Sequence, residues 1–255
     1  MPSLRERLEA RARRIELETV AAIEGYISEL DAFLYKQLTR FYAIKLSGVK
    51  GALQIKELPR NLKEAGLEDK LADISGAYSQ KISNVKEDFA FFNLKGLDVA
   101  TRALVVERVS TNILAIQNEI NTFVGQTQKA ALSQLITNNE FDFDKFAEVR
   151  QTPFLKNLTG MIETDLNGFE REIGIRLGES LGVQNYYYAG TLIKTSRPFC
   201  RERAGRVFSI DEINKWDNGQ GIPANVYLGG YNCRHRLSPV SVTQSAGINK
   251  VVNYG

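Results

Sequence analysis

Gln184-Asn-Tyr-Tyr-Tyr-Ala-Gly-Thr-Leu-Ile-Lys-Thr195 is where the chain changes its hydrophobic period. Upstream, apolar residues recur every three or four positions. From Tyr186 the run is aromatic and β-branched, as strands are. The stretch therefore divides the chain into long helices before it and a small module with strands after it. The expected class is mainly α, in long helical hairpins or a bundle, followed by a small α+β C-terminal module. The expected boundaries are 1–183 for an elongated helical domain, 184–242 for the module and 243–255 for a polar tail.

Downstream of the divide, the chemistry sits in two segments. The first is Thr195-Ser-Arg-Pro-Phe-Cys200-Arg-Glu-Arg-Ala-Gly205-Arg-Val-Phe208. The second is Tyr231-Asn-Cys233-Arg-His235-Arg236-Leu-Ser-Pro239. Between them the sequence predicts a short helix over 209–216, opened by a Ser209/Glu212 capping box, and a Gly/Pro/Asn-rich loop over 217–230. A final strand follows. Both cysteines and the only histidine of the chain lie in these two segments. Cys200, Cys233 and His235 are the candidate set: metal ligands, a close thiol pair, or a disulfide with a loop between. Structural zinc takes four ligands, usually Cys or His, so a carboxylate or water would have to complete a site built on these three. No cofactor is required by the sequence; zinc is the one this set could take. Arginine is dense here. Arg197 and Arg234 are expected to organise the fold through bidentate bonds to carboxylates or carbonyls, with Arg236 in a fold-organising or partner-binding role.

Upstream, residues 3–46 read as one long helix opened by a Ser3/Glu6 capping box. Leu4, Leu8, Ala12, Ile15, Ile23, Tyr26, Leu30, Phe33, Leu38 and Phe41 form its stripe. Arg5, Arg7, Arg11, Arg13 and Arg14 crowd its first turns; they are either a solvated helix end or a contact with DNA or an acidic partner. Gly48, Gly51 and Pro59 mark a break, and Ala52–Lys56 is open between strand and linker. A second helix is expected over about 61–94, with a near-heptad stripe, and a third over about 97–137. Asn138–Lys145 reads as a turn, Pro153 as an interruption, and 154–181 as a fourth helix. The carboxylates Glu163, Asp165, Glu170 and Glu172 on that last helix read as its solvated face.

The totals narrow the function. The chain has 255 residues, 43% of them hydrophobic, which is enough to bury a real core. The formal net charge of +3 is too small to argue for nucleic acid alone. No run approaches the ~20 apolar residues of a membrane helix, and the start lacks the apolar stretch of a secretory signal. A single histidine excludes multi-histidine metal sites. No P-loop or dinucleotide fingerprint is present. Catalysis is not expected.

The module resembles the phage Mu F-like head-morphogenesis family, the minor head proteins of tailed bacteriophages. The aromatic strand is followed by Thr195-Ser196-Arg197-Pro198-Phe199-Cys200. Next comes Ala204-Gly205-Arg206-Val207-Phe208, where the family has a D-G-x-x-F. The close, Cys233-Arg234-His235-Arg236 with Pro239 and Val240, is similar to the family's C-R-C/H-x-x-x-P ending. The resemblance covers about Tyr186 to Val240. Many relatives carry a fuller Cys/His set; here Arg203 stands where a further cysteine would, Gly230 where a histidine would, and His235 replaces the last cysteine. The resemblance implies a structural virion protein near the portal vertex, acting in head assembly and in genome packaging or delivery. Portal protein, major capsid protein, further copies of the chain and DNA are the implied partners, without a membrane. The implied locations are the virion and, during assembly, the host cytoplasm, where a disulfide is disfavoured until release. A DNA-binding assembly factor using the arginine clusters is the alternative. Some relatives carry a C-terminal hydrolase or toxin domain, for which the residues after Val240 leave no room.

Overall fold

The computed structural model describes residues 2–42, 48–92, 94, 96–138 and 143–252. It is mainly α, with one three-stranded antiparallel sheet near the C-terminus. Three helices are long: α1 (Leu4–Tyr42), α6 (Val99–Asn138) and α7 (Phe143–Ser180). Between α1 and α6 lie α2 (Gly48–Lys56), α3 (Leu58–Glu64), α4 (Leu67–Ala72) and α5 (Ser75–Asp88). The module holds β1 (Asn185–Ala189), α8 (Pro198–Arg203), β2 (Val207–Ser209), α9 (Ile210–Ile213), α10 (Ala224–Tyr227) and β3 (Arg236–Val240). Helix α11 (Val242–Val252) follows.

Local chemistry explains the helix starts. Ser3 and Glu6 form the reciprocal bonds of a capping box: the Glu6 N–H donates to Ser3 Oγ and the Ser3 N–H to Glu6 Oε2. Asp98 caps α6 by accepting from the Thr101 N–H at 2.8 Å. Ser209 and Glu212 close a second capping box on α9.

Several expectations need correction. The helix expected over 61–94 is broken into α3, α4 and α5. Gly66 sits at φ +97°, outside the helical region, and ends α3. Ala52–Lys56 is neither strand nor linker but lies within α2. Pro153 does not interrupt: α7 runs through it. A proline inside a helix costs ~3 kcal/mol. Packing on both sides holds this one, with Phe154 stacked on Phe123 at 4.3 Å and Gln151 donating to Asp31. The polar tail expected from 243 is largely α11, whose Ile248 is buried against Ala12, Tyr187, Ala189 and Val240. On the third helix the three-four spacing predicts Val106 on the inner stripe with Val109, Ile113 and Ile116, but Val106 is exposed. Parts of three expected features lie outside the described residues: the end of the first helix and the break after it at 43–47, the turn at 139–142, and the last three residues of the tail.

Contacts group the chain into two units. One contains 23–75 and 110–162. Its core is Ile23, Leu30, Leu34 and Leu38 of α1 with Ile55, Leu58, Leu62, Ile120, Phe123 and Leu158. The other contains 1–22, 76–109 and 163–255, and it holds the sheet. Whereas the sequence reading ends the helical part at 183, this unit gathers residues from both sides of that position.

The sheet order is β2-β1-β3. As the central strand, β1 is covered on both faces: Tyr186, Tyr187, Tyr188 and Ala189 are all buried. Alternation still sorts them. Tyr187 and Ala189 meet Ala12 and Ile248. Tyr186 presses its hydroxyl toward Gly178 of α7, and Tyr188 turns to Phe199, Trp216 and His235.

Candidate metal centre

β1, α8 and the segment entering β3 bring together every residue of the candidate set. Pro198 at the first turn starts α8, and Cys200 follows on its buried side. The return segment makes a tight reversal. Leu228 and Asn232 adopt positive φ at 47° and 57°, and Gly230 at 96°. At Gly229 a Cβ would overlap Cys200 Sγ, so only glycine leaves room for the thiol. The chain then places Cys233 and His235 immediately before β3. Cys200 Sγ lies 3.8 Å from Cys233 Sγ, and Cys233 Sγ lies 3.7 Å from His235 Nδ1. The three donor atoms lie within 4.8 Å of one another, and all three residues are buried. Tyr188 donates its hydroxyl to Cys200 Sγ at 3.3 Å.

The Cys200–Cys233 and Cys233–His235 separations match edges of a tetrahedral zinc site. Bond lengths of ~2.3 Å to sulfur and ~2.05 Å to nitrogen give tetrahedral edges of about 3.8 Å for S–S and about 3.6 Å for S–N. The donor set, two thiols and an imidazole, is the kind that takes a borderline-soft divalent ion. The Cys233 thiol is pushed down, first by the hydrogen bond from Cys200 and then by His235 and the Arg171 guanidinium, against its burial. The Cys200 thiol is pushed up by the same bond and by burial. Ionisation is thereby favoured at Cys233 over Cys200, and the thiolate is the form that binds an ion or attacks in disulfide exchange.

The segment carrying Cys233 and His235 is pinned from α7 by residues that the sequence reading did not single out. Arg171 is buried, and its Nε and Nη2 donate to the His235 carbonyl at 2.9 and 2.6 Å. Nη2 also donates to the Cys233 carbonyl, and Nη1 to Val226 O at 3.1 Å. The Asn232 N–H donates to Thr164 Oγ1 at 2.9 Å. Arg234 pairs with Glu163 through two nitrogens, and its Nη1 lies 3.6 Å from Glu16. Arg197 donates Nη1 to Tyr231 O at 2.9 Å, which closes the cluster from the other side.

Beneath the cluster lies a buried ionic network. Lys81 Nζ donates to Glu170 Oε2 at 2.6 Å and to Asn167 Oδ1 at 3.0 Å. Arg236 bridges Glu170 and Asp88, and Arg11 reaches Asp88 at 2.6 Å and the Asn84 carbonyl at 3.0 Å. Burial by itself would raise the Glu170 pKa, but Arg236 and Lys81 outweigh it and take it to about 2. Asp88 goes the other way: burial raises it against Arg236 and Arg11. Burial lowers Lys81 against the pull of Glu170. The expectation of a solvated acidic face on this helix is therefore wrong for Glu163 and Glu170, which are buried and paired. Glu172 is partly buried and paired with Arg108 at 2.8 Å. The signal for this was in the spacing: Glu163, Asn167, Glu170 and Arg171 recur at helical period on a face that adjoins the one carrying Leu166, Ile173 and Leu177.

The N-terminal arginines separate. Arg11 and Arg14 pair with Glu87, at 2.7 and 3.5 Å. Arg5 lies against Gly205. Arg7 and Arg13 are exposed. In the module, Arg201 donates to the carbonyls of Ile193, Lys194 and Ser196, and Arg203 lies 3.9 Å over the Phe199 ring. Among the described residues, no helix is long and apolar enough to cross a membrane. Comparison with protein-family models, with curated proteins and with solved structures finds no match to this chain.

Proposed function

We propose that this chain is a structural component of a tailed-bacteriophage head: a minor head protein near the portal vertex, acting in head assembly and in genome packaging or delivery, without catalysis of its own. One observation carries the reading. The sequence segments that resemble the Mu F-like family converge on one small construction. Thr195–Cys200 leads into α8 and supplies the first thiol, and Ala204–Phe208 supplies most of β2. Cys233–Val240 supplies the second thiol, the imidazole and β3. Both outer strands pair with the aromatic β1. A motif order that assembles one sheet and one side-chain cluster is what a shared module requires.

The partners in this reading are portal protein, major capsid protein and further copies of the chain, in the virion and in the host cytoplasm during assembly. DNA contact is the weaker reading, because Arg11, Arg14, Arg234 and Arg236 pair with carboxylates inside the chain. The test is to locate the protein in purified particles by cryo-electron microscopy with averaging about the portal axis. Density for α1, α6 and α7 in a ring at the portal or connector supports the proposal. Particles that lack the protein overturn it. Salt-dependent DNA binding by the isolated chain would then favour an assembly factor.

A further inference from the structure

The three ligand side chains border not only one another but also a cleft of about 400 Å³ in the same unit. Its size is in the range of small-molecule sites. Ser196, Arg197, Asn232 and Arg234 line it as well, with Glu16 on its wall. Zinc in a closed structural site has four protein ligands, whereas a site with three keeps an exchangeable position. Here the cluster of donor atoms within 4.8 Å consists of Cys200, Cys233 and His235, and no carboxylate among the described residues joins it. Each of the three also lines the cleft, which makes it the route of approach to the cluster that the lining supports.

Glu16 is the one carboxylate among the residues lining the cleft. Its carboxylate is engaged on the cleft wall with Arg234 at 3.6 Å. Arg197 has the opposite character. Its Nη1 donates to Tyr231 O, a second cleft residue, which anchors the guanidinium at the wall while the residue stays exposed. Two thiolates neutralise a divalent ion, so Arg197 leaves a positive charge beside it. Arg234 adds none, because Glu163 takes its charge. A carboxylate can offer one oxygen to a metal and the other to a guanidinium, and it is the small anion best matched to that pair.

We propose that Cys200, Cys233 and His235 hold a zinc ion whose remaining position binds a small carboxylate entering through this cleft, with Arg197 as its countercharge. The site is then an exchangeable ligand-binding centre and not a closed staple. This inference is independent of the phage reading.

The test uses the full chain with cobalt(II) as a spectroscopic stand-in for zinc. Cobalt should bind one to one, with thiolate charge-transfer bands that are lost in Cys200→Ser and Cys233→Ser. Should either variant fail to fold, zinc-dependent protection of the two thiols from alkylation in the unaltered chain reads the same ligation. Titration with acetate or butyrate should shift the visible cobalt bands to saturation. Arg197→Ala should weaken that titration about tenfold, the effect of losing one charge-assisted bond, and leave the cobalt stoichiometry unchanged. Three results overturn the proposal. The first is no cobalt binding by free thiols. The second is cobalt bands that no carboxylate moves, whether or not Glu16→Gln makes them respond; a response there would name Glu16 as the fourth ligand. The third is an unchanged titration in Arg197→Ala.

Discussion

Arg171 ties the C-terminal half of α7 to the segment before β3. It is one buried guanidinium satisfying the carbonyls of Val226, Cys233 and His235. Arg171→Met should destabilise the chain by about 3 kcal/mol, because three carbonyls lose their donor and the segment before β3 loses its anchor. Arg171→Lys should recover only part of this, since an ammonium cannot fork across carbonyls. Urea unfolding of the three proteins checks both. Glu170 makes a pH prediction. Its folded pKa is lowered from 4.5 to about 2. Its contribution is therefore complete above about 4.5 and is lost as pH falls through that window towards about 2. Asp88, raised by burial, acts in the opposite sense over part of the same range. Stability measured from pH 6 down to 2 should fall more steeply in the unaltered chain than in Glu170→Gln. The variant should also be less stable at neutral pH, where Lys81 and Arg236 lose their shared partner.

At the scale of elements, α7 and β1 depend on each other through a glycine. A Cβ at Gly178 would collide with the Tyr186 hydroxyl. On an isolated helix, Gly→Ala gains about 1 kcal/mol. Here Gly178→Ala should instead destabilise by about 2 kcal/mol through overpacking. Tyr186→Phe in the same chain should restore much of the loss by removing the hydroxyl. A double-mutant cycle in denaturant measures the coupling. The same helix shows where sequence reading stops. The three-four spacing of Phe154, Leu158, Ile162, Leu166, Phe169, Ile173, Leu177 and Leu181 made one buried face legible; the six central members are buried, and Phe154 and Leu181 at its ends are partly exposed. The polar residues between them were legible only as polar. Assigning them to solvent assumed that a helix has one buried face, and the C-terminal half of α7 has apolar packing on one side and an ionic network on another.

At the scale of the whole molecule, the module is not bounded by the change of hydrophobic period. Its unit also takes in 1–22, 76–109 and 163–183. The sheet face of Tyr187 and Ala189 is closed by Ala12, with Leu4 and Leu8 packed beside it. The segment holding Cys233 and His235 is anchored by Thr164 and Arg171. A fragment of residues 184–255 should therefore show no cooperative unfolding transition by circular dichroism. The full chain should unfold cooperatively. A cooperative transition in the fragment would mean that the cluster and the three strands suffice without the helices.

Local sequence alone determined the mainly helical class, the capping boxes at Ser3 and Ser209, the switch to strands near Tyr186, and the pairing of Cys200, Cys233 and His235 as one candidate set. Each of these rests on neighbours within a few residues or on scarcity of residue type, which a linear reading can weigh. Only the tertiary structure decided that α7 is buried on its polar side, that residues 242–252 form a packing helix, and that Arg171 secures the segment holding Cys233 and His235. Those outcomes depend on partners far away in the chain, such as Arg171 with Val226 at a separation of 55 residues and Asp88 with Arg236 at 148. A buried charge is tolerated only where such a partner arrives to meet it.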